Sequence, residues 1–248
     1  MSKNFVKNKY FTYYDFSKKN KTKPFFFIIC DHASNNLPKK YKNLGLKKKY
    51  LKSHIAWDPG AKDLTLDLSK KLNGCCFLSN FSRLYIDLNR PRSDKSSILS
   101  ESFGVQIPFN QSLSKSEKKE RVNYFDNYHQ SLNSYIRSKQ KKYLKIYLIS
   151  IHTFTKKTVE LNRPTEIGLL WNKNMNLLLP LQKKFREMKI NVGNNKPYSG
   201  FFFNYTLDVH SKFMNIDNIS VEIRNDLLSN KKKIDKWSKI LKIGFKSI

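Results

Sequence analysis

Four apolar runs in this chain each end in residues that carry chemistry, and that pattern constrains the fold more than any bulk property. Phe25-Phe26-Phe27-Ile28-Ile29-Cys30 leads into Asp31-His32, Leu84-Tyr85-Ile86-Asp87-Leu88 into Asn89-Arg90, and Leu148-Ile149-Ser150-Ile151 into His152. In the fourth, Ile219, Val221 and Ile223 alternate with Ser220, Glu222 and Arg224. Period 2 puts the apolar set on one face of a strand and the carboxylate and guanidinium on the other. In open α/β sheets, ligands bind outside the carboxyl ends of strands. Four such endings therefore predict one shared cleft.

The intervening segments supply helices. Ala61, Leu64, Leu68 and Leu72 recur at helical spacing and predict a helix over about 60–72, followed by strands near 75–79 and 83–88. Residues 92–113 have no clear period and are expected to cover the cleft. Ser114-Lys115-Ser116-Glu117 resembles a capping box opening a long helix to about 140, with Val122, Phe125, Leu132 and Ile136 on its apolar face. A strand at 144–151, another near 166–171 and a helix around 176–189 continue the alternation. Asn194 to Thr206 reads as an extended loop, and Ile234, Trp237, Leu241 and Phe245 mark a C-terminal helix. Strands alternating with helices mean an α/β fold with a mostly parallel sheet. Residues 1–23 are polar and expected at the periphery.

With 248 residues and no linker or repeat, the expectation is a single domain over 1–248. The longest apolar runs, such as Pro24 to Cys30, fall far short of the roughly 20 residues needed to span a bilayer. The N-terminus lacks the apolar core of a secretion signal. A cytoplasmic protein without a membrane partner is expected. Cys30, Cys75 and Cys76 are too few and wrongly spaced for a disulfide framework or thiolate metal site, and read as buried thiols.

Net charge is +29, from 40 Lys and 8 Arg against 19 acidic residues. A basic nucleic-acid-binding protein is one reading of that charge. Lys is spread over every segment, however, and no nucleic-acid-binding motif accompanies it, so solvated surface is the better reading and no specific nucleic-acid partner is expected. Arginine is used differently: Arg83, Arg90 and Arg92 lie within ten residues, and Arg224 follows Glu222 by two. A guanidinium grips carboxylates with two parallel hydrogen bonds, which an ammonium cannot do. A small anionic substrate is expected.

His32 and His152, at the ends of two core strands, suit a catalytic Zn²⁺, which takes three protein ligands and keeps a fourth position open. Each alone also fits a structural histidine. Ser150-Ile151-His152-Thr153-Phe154, Asp87-Leu88-Asn89-Arg90 and Glu222-Ile223-Arg224 resemble motifs of zinc carboxypeptidases and related deacylases. The closer resemblance is to the N-formylglutamate amidohydrolase family. It is carried by Asp31-His32-Ala33-Ser34-Asn35 with Pro38, His54-Ile55-Ala56-Trp57-Asp58 before Gly60-Ala61, and Ser82-Arg83-Leu84 through Asn89-Arg90. His152 with Phe154-Thr155, Pro197-Tyr198-Ser199-Gly200, His210, and Val221 through Leu227 complete it.

The resemblance implies a three-layer α/β fold of the zinc-exopeptidase (phosphorylase/hydrolase-like) kind, with a mixed, mostly parallel sheet flanked by helices. It also implies Zn²⁺ or another divalent transition metal held by His32, His152 and a third ligand. Carboxypeptidases place a Glu three residues after the first His, where this chain has Asn35. Asp58 is the preferred third ligand, although Asp58-Pro59 equally fits a helix N-cap. Glu222 would be the general base and Arg83 or Arg224 the oxyanion partner. Asn89 and Arg90 would hold the α-carboxylate, Arg83 or Arg92 a second carboxylate, and Tyr198, Ser199 and His210 the rest of the substrate. His54 would orient the Asp58 loop, and His129 reads as part of the long helix.

The implied reaction converts N-formyl-L-glutamate to L-glutamate and formate, the end of a histidine-degradation route. A deacylase or carboxypeptidase of different N-acyl specificity is the nearest alternative. Pro59, Lys156 and Ser211 depart from the family's usual residues and bear on substrate preference.

Overall fold

The computed structural model describes residues 4–18, 23–157, 162–212, 214 and 216–248. In chain order the elements are β1 (Asn4–Lys7), β2 (Phe11–Asp15), β3 (Phe25–Cys30), α1 (Lys48–Leu51), α2 (Ala61–Leu72) and β4 (Cys75–Ser79). A two-stranded hairpin of β5 (Glu101–Ser102) and β6 (Val105–Gln106) precedes α3 (Pro108–Gln111), α4 (Lys115–Gln140) and β7 (Ile146–Phe154). Next come β8 (Ile167–Leu170), α5 (Leu178–Glu187), β9 (Val192–Asn194), α6 (Gly200–Phe203), α7 (Tyr205–Ser211), β10 (Asp217–Arg224) and α8 (Lys231–Phe245).

Eight strands form one sheet in the order β1-β2-β4-β3-β7-β10-β8-β9. The central run β4-β3-β7-β10 is parallel, as are β8 and β9, while β1-β2, β2-β4 and β10-β8 are antiparallel. The sheet is therefore mixed and mostly parallel. Period-2 alternation sorts each strand's side chains between two cores. Phe26, Ile28, Cys76, Ile149, Ile151, Ile219 and Val221 pack under α2, α5 and α8. Phe25, Phe27, Ile29, Cys75, Phe77 and Leu148 face α4, through Tyr124, Phe125, Tyr128, Leu132 and Ile136. Cys75 and Cys76 thus point to opposite faces as buried free thiols. Fully burying a Leu or Phe contributes about 1.5–3 kcal/mol, so helix–sheet–helix layering follows from this patterning alone.

Chain direction locates the cleft. From β3 the chain crosses by α2 to β4 on one side, then by α4 back to β7 on the other. The carboxyl ends of β3 and β7 thus flank a topological switch point, where such sheets leave a crevice. The capping box expected at Ser114 and Glu117 opens the 26-residue α4.

Three segments differ from the sequence expectation. Residues 83–88 are a chain of turns rather than a strand, although Leu84, Tyr85, Ile86 and Leu88 are buried. A buried loop must find hydrogen-bond partners outside a ladder, and side chains supply them. Arg121 donates to the Tyr85 carbonyl at 2.8 Å, Asn110 to that of Leu84 at 2.9 Å, and the Thr206 hydroxyl to that of Leu88 at 3.2 Å. Residues 11–15 are not peripheral: β2 pairs with β4 and buries Phe11 and Tyr13. The stretch 194–206 contains α6 and the start of α7 instead of a continuous loop. Among the described residues, no helix is long and apolar enough to cross a membrane.

Candidate active site

β3 ends at Cys30, and the following turn places Asp31 and His32 over the crevice. Asp58 is tied to that turn by its backbone N–H, which donates to the His32 carbonyl at 3.0 Å. In the parallel pair β7-β10, His152 and Glu222 are register partners, so their side chains share one face. Beside them on the other side, Gly168 of β8 is the register partner of Glu222. A Cβ at Gly168 would lie 2.3 Å from the Lys196 carbonyl oxygen and 3.3 Å from the Glu222 Cβ, so only glycine lets the chain pass there.

Three residues from distant segments converge. One ligand atom each from His32, Asp58 and His152 lies within 4.8 Å of the others, and all three side chains are buried. The Asp58 Oδ2 is 2.9 Å from His152 Nδ1 and 3.4 Å from His32 Nδ1. Its Oδ1 accepts from Arg83 and lies 3.5 Å from His54 Nδ1. The N-cap alternative for Asp58 falls, because Gly60 occupies the N-cap of α2 with φ +82° and the Asp58 carboxylate turns to the histidines.

Each histidine also has a carboxylate behind its ring. His32 Nε2 donates to the Asp87 Oδ1 at 2.8 Å, since a carboxylate only accepts, which leaves the lone pair on Nδ1. Asp87 Oδ1 in turn accepts from the Asn89 backbone at 2.8 Å. His152 Nε2 lies 3.9 Å from Asp31 Oδ2, and the Tyr128 hydroxyl on α4 fixes Asp31 by donating to Oδ1 at 2.8 Å. His32 Nδ1, on the Asp58 side of its ring, is buried without a hydrogen-bond partner. Buried polar atoms are rarely left so. Two imidazole nitrogens and a carboxylate form a normal donor set for a divalent transition metal, and carboxylate-backed histidines are the usual support of such sites. The residues fit a metal.

Burial depresses all three histidines near the cleft: His32, His54 and His152, the last pushed down to about 4 with His32 adding to the effect. They are neutral at pH 7, as ligation requires. Burial raises Glu222 above the usual carboxylate range, against the pull of His152 and Arg83, and its Oε2 has no hydrogen-bond partner. Asp87 goes the other way: His32, Arg90 and Arg83 overcome the cost of its burial and hold it well below that range.

A cavity of about 240 Å³ opens over these groups. Arg83, Asn89, Arg90 and Tyr198 line it with His32, Asp58, His152 and Glu222. Ser96, Leu99, Ser102 and Phe103 close one side, so the segment expected to cover the cleft does border it. Asn89 shows only part of its side chain to the cavity, because its amide donates to the Phe203 carbonyl at 2.7 Å and accepts from Thr206 N at 3.0 Å.

Other residues singled out from the sequence lie elsewhere. Arg224 pairs with Asp226 and donates to the carbonyls of Arg163 and Pro164. Arg92 pairs with Asp126, and Asn35 donates to the Leu51 carbonyl. Ser199 caps α6, with its hydroxyl accepting from Phe201 N. His210 stacks on His129, which is itself more than a helix residue, since its Nε2 donates to the Leu88 carbonyl at 3.0 Å. Arg163, unnoticed in the sequence, lies against Tyr198 beside the cleft. Its only sequence cue was being one of eight arginines in a lysine-rich chain.

Solved structures share this fold. A gene product of Agrobacterium tumefaciens superposes with a TM-score of 0.88 at 29% identity, over 97% of this chain and 95% of that one. An N-formylglutamate amidohydrolase from Ralstonia eutropha superposes with a TM-score of 0.68 at 15% identity, over 96% of each chain, and shows the same fold. No curated protein matches this chain. Residues 25–229, which carry every group of the cleft, match the N-formylglutamate amidohydrolase family, so the chain belongs to that family of enzymes hydrolysing an amide bond.

Proposed function

We propose that this amidohydrolase hydrolyses N-formyl-L-glutamate to L-glutamate and formate, or a closely similar N-acyl acidic amino acid to the free amino acid and the corresponding carboxylate. The observation that carries the reading is the convergence of His32, Asp58 and His152 beside Glu222, with guanidinium groups on the same cleft. His32, Asp58 and His152 would hold a divalent cation such as Zn²⁺. Bound there, it would lower the pKa of water toward ~7 and polarise the acyl oxygen.

The chain's own residues supply the rest. Glu222, adjacent to His152 and raised by burial, accepts a proton from the attacking water and returns it to the departing amine. Arg83, fixed on Asp58 at the cavity wall, offers N–H groups to the developing oxyanion. Arg90 takes the substrate α-carboxylate, and Asn89 anchors its loop to α6 and α7. We place the reaction in the cytoplasm, at the end of histidine degradation.

Purified protein with added Zn²⁺, offered N-formyl-, N-acetyl- and N-succinyl-L-glutamate, tests the reading through release of L-glutamate. The formyl compound should be hydrolysed fastest, and its persistence would refute the proposal. Glu222→Gln should lower kcat at least ~10²-fold, the scale of a lost general base, while metal content stays unchanged. Loss of the metal would make Glu222 a ligand instead.

A further inference from the structure

One wall beside the cleft is a row of four side chains in contact. The Arg90 guanidinium lies over the Phe203 ring at 4.7 Å, the Phe203 and Tyr198 ring centres are 5.5 Å apart, and the Arg163 guanidinium lies over the Tyr198 ring at 4.9 Å. Two cations are thus spaced by two aromatic rings. Ring faces attract a guanidinium through its plane and leave its N–H edge available.

Three other arginines each have a carboxylate partner: Arg83 in Asp58, Arg92 in Asp126 and Arg224 in Asp226. Arg90 and Arg163 touch only neutral groups among the described residues. Arg90 donates to the Asn89 carbonyl at 2.8 Å, and Arg163 to the Tyr198 hydroxyl at 2.9 Å and the Thr155 carbonyl at 3.5 Å. Arg163 Nε is buried without a hydrogen-bond partner. Its backbone is fixed, because its N–H donates to the Lys156 carbonyl at 2.9 Å and Arg224 braces the carbonyls of Arg163 and Pro164. The Arg163 charge also favours the ionised form of Glu222, which lines the cavity.

We propose that Arg163, held by Tyr198, selects a dicarboxylic substrate by taking the side-chain carboxylate of the N-acyl amino acid while Arg90 takes the α-carboxylate. This rests on the amidohydrolase reading above and adds its specificity determinant. Arg224 is then a positioning residue for the Arg163 loop.

The test compares N-formyl-L-glutamate with N-formyl-L-norvaline, which keeps the aliphatic chain and lacks the second carboxylate. In Arg163→Gln, kcat/KM for the glutamate compound should fall ~10–100-fold, the scale of a lost charge-assisted pair, mainly through KM. The norvaline compound should be unaffected. Arg163→Lys should recover part of the loss, and thermal unfolding of each variant checks its fold. Equal losses on both substrates, or no loss on the glutamate compound, overturn the assignment. Calorimetric binding of L-glutamate against L-norvaline separates this from the reaction itself. Wild-type protein should prefer L-glutamate at least tenfold and Arg163→Gln should not, even if neither formyl compound is hydrolysed. A preference that is absent in the wild type, or unchanged in the variant, overturns the subsite.

Discussion

Lowering the pH should destabilise this protein through a histidine pair outside the proposed metal site. His129 on α4 and His210 on α7 stack with ring centres 5.2 Å apart, and His129 Nδ1 lies 2.9 Å from His210 Nε2. Burial pushes His129 down to about 4, against the pull of the Leu88 carbonyl. It pushes His210 to about 3, with His129 adding to the effect and Asp31 opposing it. Above pH ~6.5, the unperturbed value, both are neutral folded or unfolded and contribute no pH dependence. Below it the unfolded chain binds protons that the folded chain refuses, so stability falls by about 1.4 kcal/mol per pH unit for each histidine, down to the folded values. At pH 5 each costs about 2 kcal/mol and the pair about 4 kcal/mol, against a typical total of ~5–15 kcal/mol. Urea unfolding followed by tryptophan fluorescence from pH 7 to 5 measures this. The double variant His129→Gln/His210→Gln should show a slope shallower by up to about 2.7 kcal/mol per pH unit. Parallel slopes for the two proteins would refute the reasoning.

Two further outcomes follow from the loops around the cleft. Asp87→Asn removes the carboxylate that accepts from His32 Nε2 and should weaken Zn²⁺ affinity ~10–100-fold, measured by competition with a chromophoric chelator; unchanged affinity would disconnect Asp87 from the metal. Gly60→Ala forces a side chain into φ +82° with its Cβ 2.5 Å from that of Leu228. It should cost about 1–3 kcal/mol and lower Tm, whereas an unchanged Tm would show that the turn relaxes freely.

Much of this architecture was legible in the sequence, for reasons that also explain what was missed. Period 2 over 219–224 and helical spacing over 61–72 report which face is buried, and both elements formed as read. The same burial misleads at 84–88. There apolar residues line a loop whose backbone is satisfied by Arg121, Asn110 and Thr206, partners that no local pattern reveals. In β2 a lysine- and asparagine-rich setting hid a strand that buries Phe11 and Tyr13. Strand-end chemistry brought out His32, His152 and Glu222, because the topology gathers those ends. Arg224 shares a face with Glu222 by alternation, yet it is the last residue of β10 and turns to Asp226. Arg163 lies in the irregular stretch between β7 and β8, where neither periodicity nor motif marks a side chain that only the fold sets against Tyr198.

Titrating Zn²⁺ calorimetrically into chelator-treated protein bears most directly on the claim that His32, Asp58 and His152 form one metal centre. One equivalent should bind to the wild type, and Asp58→Ala should lose that binding while remaining folded. Absence of stoichiometric binding, or a variant that binds as tightly as its parent, would contradict the account.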